Sequence, residues 1–104
     1  MFKAIKSIFG FGHSINYKEV ISNGGIIVDV RTQHEFAVGS IKGSINIPLD
    51  ILQNGIKKLP KNKTIVTCCA SGIRSSSAKR FLKSSGFEDV HNGGSWYSLQ
   101  QKIQ

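Results

Sequence analysis

Apolar and polar positions along the chain fall into short blocks whose period alternates between that of a strand and that of a helix. Ile26-Ile27-Val28-Asp29-Val30 is a nearly continuous apolar run of strand length, the pattern of a strand buried on both faces. Thr64 to Cys68 is a second run rich in β-branched residues. Ser44 to Ile47, stopped by Pro48, and Val90 to Asn92 are shorter strand candidates. Helical stretches separate them. Tyr17 to Asn23 is closed by Gly24-Gly25, and Thr32 with Glu35 has the Thr-x-x-Glu capping-box spacing for a helix ending near Gly39. Asp50 to Asn54 reads as one helical turn before Gly55. Ile73 to Ser85 carries Ala78, Phe81 and Leu82 on one helical face, with Gly86 at the C-terminal glycine position. Gly93-Gly94 then leads into a terminal helix around Trp96, Leu99 and Ile103.

Strands and helices in this rhythm imply an α/β fold: a small parallel sheet built from right-handed βαβ units, with helices on both faces. A ligand site in such a sheet lies beyond the C-terminal ends of the strands. At 104 residues the chain suits one core, and it shows no internal repeat, low-complexity segment or interdomain linker.

The residues that carry chemistry sit at one of those strand ends. Cys69 heads the run Cys69-Ala70-Ser71-Gly72-Ile73-Arg74-Ser75, which reads as strand, tight loop and helix start. Gly72 permits a backbone that other residues would strain. A loop curling around a thiol turns successive N–H groups inward, and the following helix N-terminus adds partial positive charge. Both favour the thiolate, so Cys69 is the candidate nucleophile.

Composition narrows the setting. A net charge of +8 suits attraction of small anions, nucleic acid or an acidic partner, but the lysines are scattered. The exception, Lys57, Lys58, Lys61 and Lys63 around Pro60, has the composition of a solvated loop. No basic stripe with interleaved aromatics marks a dedicated nucleic-acid module, and no apolar stretch is long enough to span a membrane. Residues 1–15 are expected to be an N-terminal extension to a domain at 16–104. In it Phe2, Ile5, Ile8 and Phe9 recur near helical spacing beside Lys3 and Lys6. The stripe suits packing on the domain edge, with an interfacial membrane helix as the alternative. It lacks the sustained apolar run and cleavage site of a signal peptide. Two adjacent cysteines make no disulfide framework, which favours a reducing compartment and a cytoplasmic location.

Three stretches together resemble a single-domain rhodanese. One is Val28-Asp29-Val30-Arg31-Thr32-x-x-Glu35-Phe36, continued by Gly39-Ser40-Ile41-x-Gly43-Ser44-Ile45-Asn46-Ile47-Pro48; the second is the Cys69 loop; the third is Gly86-Phe87, Val90 and Gly93-Gly94-x-Trp96. The resemblance runs from about Ile26 to Trp96 and implies a sulfurtransferase with no cofactor or metal. Cys69 would take a sulfane sulfur from a small anionic donor such as thiosulfate, hold it as a persulfide, and pass it to a thiol or cyanide, or to a protein of a sulfur relay. Loop N–H groups of Ala70, Ser71, Gly72, Ile73 and Arg74 would stabilise the anion. Arg74 would either hold the donor's oxyanion or brace the loop against a carboxylate. Asp29 and Arg31, near the same end of the sheet, would support the site; Asp29 is expected to satisfy N–H groups of a neighbouring loop.

Two departures from the family pattern stand out. Gly39-Ser40-Ile41-Lys42-Gly43 lacks the His and Pro common in relatives, which alters a turn more than the chemistry. Cys68 stands where relatives often carry a bulky residue, and strand alternation points it away from Cys69, as a small apolar filler. Counted from Cys68 the loop becomes Cys-x5-Arg, the spacing of cysteine-dependent phosphatases. A third possibility is a non-catalytic rhodanese module that carries sulfur or binds a partner.

Overall fold

The computed structural model describes residues 15–104; the Phe2–Phe9 stripe lies outside the described residues. Four parallel strands form one sheet in the order β2-β1-β3-β4, with β1 at Ile26–Asp29, β2 at Ile45–Asn46, β3 at Ile65–Cys69 and β4 at Val90–Ser95. Five helices connect and cover it: α1 (Tyr17–Ser22), α2 (Gln33–Val38), α3 (Leu52–Gly55), α4 (Ile73–Ser84) and α5 (Trp96–Ile103).

Each face of the sheet has its own apolar layer, as alternation along the strands requires. On one face Val28, Val30, Ile65 and Val90 pack with Leu52 of α3 and with Ala78 and Leu82 of α4. On the other, Ile27, Val66 and Cys68 pack with Leu99 of α5 and with Val20 and Ile21 of α1. The central strand β3 is buried along its whole length, which is why its sequence is a continuous apolar run.

Local signals set the helix ends. Thr32 Oγ1 accepts the Glu35 N–H at 3.1 Å and Glu35 Oε1 accepts the Thr32 N–H at 2.9 Å, a complete capping box for α2. α4 closes at Gly86, whose φ of +102° lets the Phe87 N–H return to the Leu82 carbonyl at 3.1 Å. Among the described residues no helix is long and apolar enough to cross a membrane.

Two elements differ from their sequence pattern. The segment expected to be one turn winds through a 3-10 turn (Leu49–Ile51), α3 and a second 3-10 turn (Ile56–Lys58). Its anchor is Leu52, buried in the core. The second is β4, which continues through Gly93 and Gly94 to Ser95. Here the pairing with β3 slips between Thr67 and Cys69, and Cys69 pairs with Ser95. The glycines therefore belong to an irregular strand that runs beside Cys69.

Gly93 has no room for a side chain. A Cβ there would lie 2.9 Å from both Leu99 Cδ2 and Val66 Cγ1, and 3.0 Å from the Thr67 carbonyl oxygen. Gly93→Ala is expected to destabilise the domain by about 1–3 kcal/mol, read as a lower denaturant midpoint at unchanged slope.

Candidate active site

Cys69 is the last residue of β3, and four residues later α4 begins with Ile73 as its first helical residue. The link is tight because Gly72 takes a left-handed conformation, φ +102°, as the residue before the helix. Its carbonyl accepts the Ser76 N–H at 3.1 Å, starting the helical ladder. The turn aims N–H groups at the sulfur: Gly72 N–H donates to Cys69 Sγ at 3.0 Å and Ser75 N–H at 3.3 Å. The Ser75 hydroxyl lies 3.4 Å from the same atom.

Two influences on the Cys69 thiol oppose each other. Its residue has no accessible surface, and burial by itself raises the pKa. The Ser75 side chain and the N–H groups of Ser75, Gly72 and Ser71 outweigh that, and the thiol ends below its ordinary value. The N-terminus of the twelve-residue α4 acts in the same direction. The cover over the sulfur is thin, since Ala70, Ser71 and Ile73 of its own loop are exposed, Ile73 by 75%.

Arg74 does not present a free guanidinium to the loop. Its two terminal nitrogens donate to the two carboxylate oxygens of Glu35 at 2.8 and 3.0 Å. Arg74 is thereby braced against a carboxylate. The Arg74 pair, with the Thr32 N–H, holds the Glu35 carboxyl down at about 2, and raises the Arg74 guanidinium in turn.

Asp29, Arg31 and Cys68 sit across the sheet from the sulfur. Cys68 packs with Ile27, Ile41, Val66 and Leu99, and burial, reinforced by the Asp29 carboxylate, pushes its thiol up to about 12. Cys68 fills this apolar layer. Asp29 was expected to serve a neighbouring loop; instead its carboxylate takes Arg31, accepting the main-chain N–H at 3.1 Å, Nε at 2.9 Å and one terminal nitrogen at 2.6 Å. The rest of the Arg31 guanidinium donates to the Glu35 and Gly39 carbonyls and lies over the Trp96 ring, 4.7 Å from its centre. This ion pair ties β1, α2 and α5 together, and Asp29 turns to Arg31 because the guanidinium two residues away is its nearest and strongest donor. The pair supports the framework around α2 and makes no contact with Cys69.

Three residues near the sulfur escaped the sequence reading in these roles. Ser75 ended the run that begins at Cys69 with no role of its own, yet it is buried. Asn92 looked like the end of a strand, and Glu35 like a capping residue alone. The signal available was Glu35: a capping carboxylate uses one oxygen for the cap, which leaves the other free for a cation. Among the described residues no group of His, Cys, Asp and Glu side chains is placed to hold a metal ion.

This loop on this parallel sheet has counterparts among known proteins. The profile of the rhodanese-like domain matches residues 16–101. The chain belongs to the rhodanese-like family. Among its rhodanese-like relatives is the thiosulfate sulfurtransferase GlpE of Ectopseudomonas mendocina, 32% identical over 75 residues that make up 72% of this chain and 69% of that protein. The tRNA uridine(34) hydroxylase of Cytophaga hutchinsonii is 32% identical over 84 residues, 73% of this chain; the chain spans only 27% of that longer protein. A solved rhodanese-related protein from Thermoplasma volcanium superposes with a TM-score of 0.70 at 35% identity, covering 86% of this chain and 91% of that one. The rhodanese fold read from the three sequence stretches is therefore the fold observed.

The Glu35 carboxylate stabilises the folded domain only while it is ionised. Its folded pKa of about 2 lies below the ordinary 4.5, so the contribution is complete above about pH 5 and disappears as pH falls toward 2. Glu35→Gln is expected to cost about 1 kcal/mol at pH 7, since the pair is partly exposed. Denaturation of wild type and variant at pH 7, 4 and 2.5 should show the difference shrink steadily; a constant difference would contradict the assignment.

Proposed function

We propose that this rhodanese-like domain is a sulfurtransferase that carries a sulfane sulfur as a persulfide on Cys69. The observation that carries the reading is the convergence of the Gly72 and Ser75 N–H groups on one sulfur at a helix N-terminus. Donors placed this way stabilise an anion on Sγ, and they remain close when the charge moves one atom outward onto a second sulfur.

The chemistry needs no general base. The Cys69 thiolate attacks the outer sulfur of a donor such as thiosulfate; the new Sγ–S bond forms as the S–S bond of the donor breaks, and sulfite leaves with the electron pair. Cyanide or an acceptor thiolate then attacks the terminal sulfur of the persulfide, and the Cys69 thiolate is regenerated as leaving group. Attack on the terminal sulfur requires it to project past Ala70, Ser71 and Ile73, the exposed part of the loop. Because Arg74 is held by Glu35, an anionic donor is oriented by loop N–H groups and by the overall charge of +8, with Arg74 keeping the loop in shape. The relatives named as sulfurtransferases support this reading. Free Cys68 and Cys69 suit a reducing compartment such as the cytoplasm, where acceptor thiols are abundant.

Intact-protein mass after incubation with thiosulfate tests the proposal. Wild type and Cys68→Ser are expected to gain one sulfur and lose it again on addition of cyanide, whereas Cys69→Ser gains none while keeping the wild-type fold by circular dichroism. Failure of wild type to gain sulfur from thiosulfate and from a persulfide donor such as glutathione persulfide would overturn it in favour of a silent binding module.

A further inference from the structure

Behind the two donors that face Cys69 stands one side chain that touches both. Asn92, on β4, is half-buried, and its amide makes three hydrogen bonds within the site. Its Nδ2 donates to the Gly72 carbonyl at 3.2 Å. Its Oδ1 accepts the Gly94 N–H at 2.9 Å and the Ser75 hydroxyl at 2.7 Å. The orientation of the amide follows from its partners: the Gly94 N–H can only donate and the Gly72 carbonyl can only accept, so a flipped amide would lose both bonds.

That orientation also decides where the single Ser75 proton rests. Directed at Asn92 Oδ1, it leaves the Ser75 oxygen to accept the S–H of Cys69 at 3.4 Å, the arrangement for the neutral thiol. Once the sulfur is anionic the same hydroxyl can turn to it, because Oδ1 keeps the Gly94 N–H and is not left unsatisfied. A second contact supports the anchoring: the Tyr17 hydroxyl donates to the Asn92 main-chain carbonyl at 3.2 Å, tying this point of β4 to α1.

We propose that Asn92 is a positioning residue for Cys69, acting through Gly72 and Ser75: it clamps the left-handed Gly72 and anchors the Ser75 side chain, so that the N–H donors of both residues stay trained on the sulfur. The proposal deepens the sulfurtransferase reading, which supplies the need for an anionic sulfur, but its test requires no sulfur transfer.

The measurement is the pH dependence of Cys69 alkylation by iodoacetamide in the Cys68→Ala background, for the otherwise wild-type chain, Asn92→Ala, Ser75→Ala and the double variant. Asn92→Ala is expected to move the midpoint upward and slow alkylation at neutral pH by about three- to tenfold, with the limiting rate at high pH unchanged. The upward shift of the double variant should be smaller than the sum of the single shifts. Asn92→Asp keeps an acceptor for the Gly94 N–H and the Ser75 hydroxyl, loses the donor to Gly72, and adds negative charge; its midpoint should rise further still. The charged and titratable neighbours, Arg74 with Glu35, are left intact by all of these changes. An unmoved midpoint in both Asn92 variants, or shifts that add in full with that of Ser75→Ala, would overturn the proposal. Because iodoacetamide reports the thiolate directly, a protein that alkylates as expected yet takes no sulfur from a donor would sink the functional reading and leave this one standing.

Discussion

The structure turns on the demand of one buried sulfur for hydrogen-bond donors. A thiol with no accessible surface is normally a weak acid, and the Cys68 thiol next to it behaves that way. Cys69 differs because the chain reverses from strand to helix around it, which places the N–H groups of Gly72 and Ser75 within hydrogen-bonding distance of Sγ. Two adjacent residues of the same type thus end on opposite sides of their ordinary pKa. Burial is common to them; the supply of donors is not.

Much of the surrounding architecture holds that reversal in place. The Arg74 guanidinium emerges from the first turn of α4 and is fixed by Glu35, which is itself fixed by the capping box at the start of α2. Behind the loop, Gly94 comes so near Gly72 that a Cβ on Gly72 would lie 3.4 Å from the Gly94 Cα, and the slip in β3–β4 pairing brings Ser95 opposite Cys69. The buried Asp29–Arg31 pair operates at one remove, linking the end of β1 to the carbonyls of α2 and to Trp96. A buried ion pair of this kind is weak evidence for net stability. Its clearer effect is geometric, since the Arg31 guanidinium also holds the Glu35 and Gly39 carbonyls and so sets the position of the helix that carries Glu35.

This arrangement separates shaping the loop from binding at it. Both arginines near the C-terminal strand ends pair with carboxylates within the domain, and the groups that favour the thiolate are the Ser75 side chain and the main-chain N–H groups of the loop. Main-chain donors need no particular side chain on the loop itself, which is consistent with a loop built from small residues. On the exposed rim, Ile73 is the largest apolar group of the loop.

Local pattern in the sequence by itself determined the order and type of the elements, the capping box at Thr32 and Glu35, the glycine stop at Gly86, and the candidacy of Cys69 with its loop. Each depends on neighbours a few residues apart, where periodicity and backbone preference act. Tertiary structure alone decided which partner each long polar side chain takes. Arg74 meets Glu35 across thirty-nine residues and Ser75 meets Asn92 across seventeen, separations over which no local rule pairs them. The strand character of Gly93 and Gly94 was equally hidden, because glycine has no intrinsic preference for a strand; Gly93 is required by the closeness of Leu99, Val66 and the Thr67 carbonyl, and Gly94 by its positive φ of 83°. Spacing along the chain singled out Cys69 as the candidate nucleophile, and packing between distant segments supplied the groups that surround it.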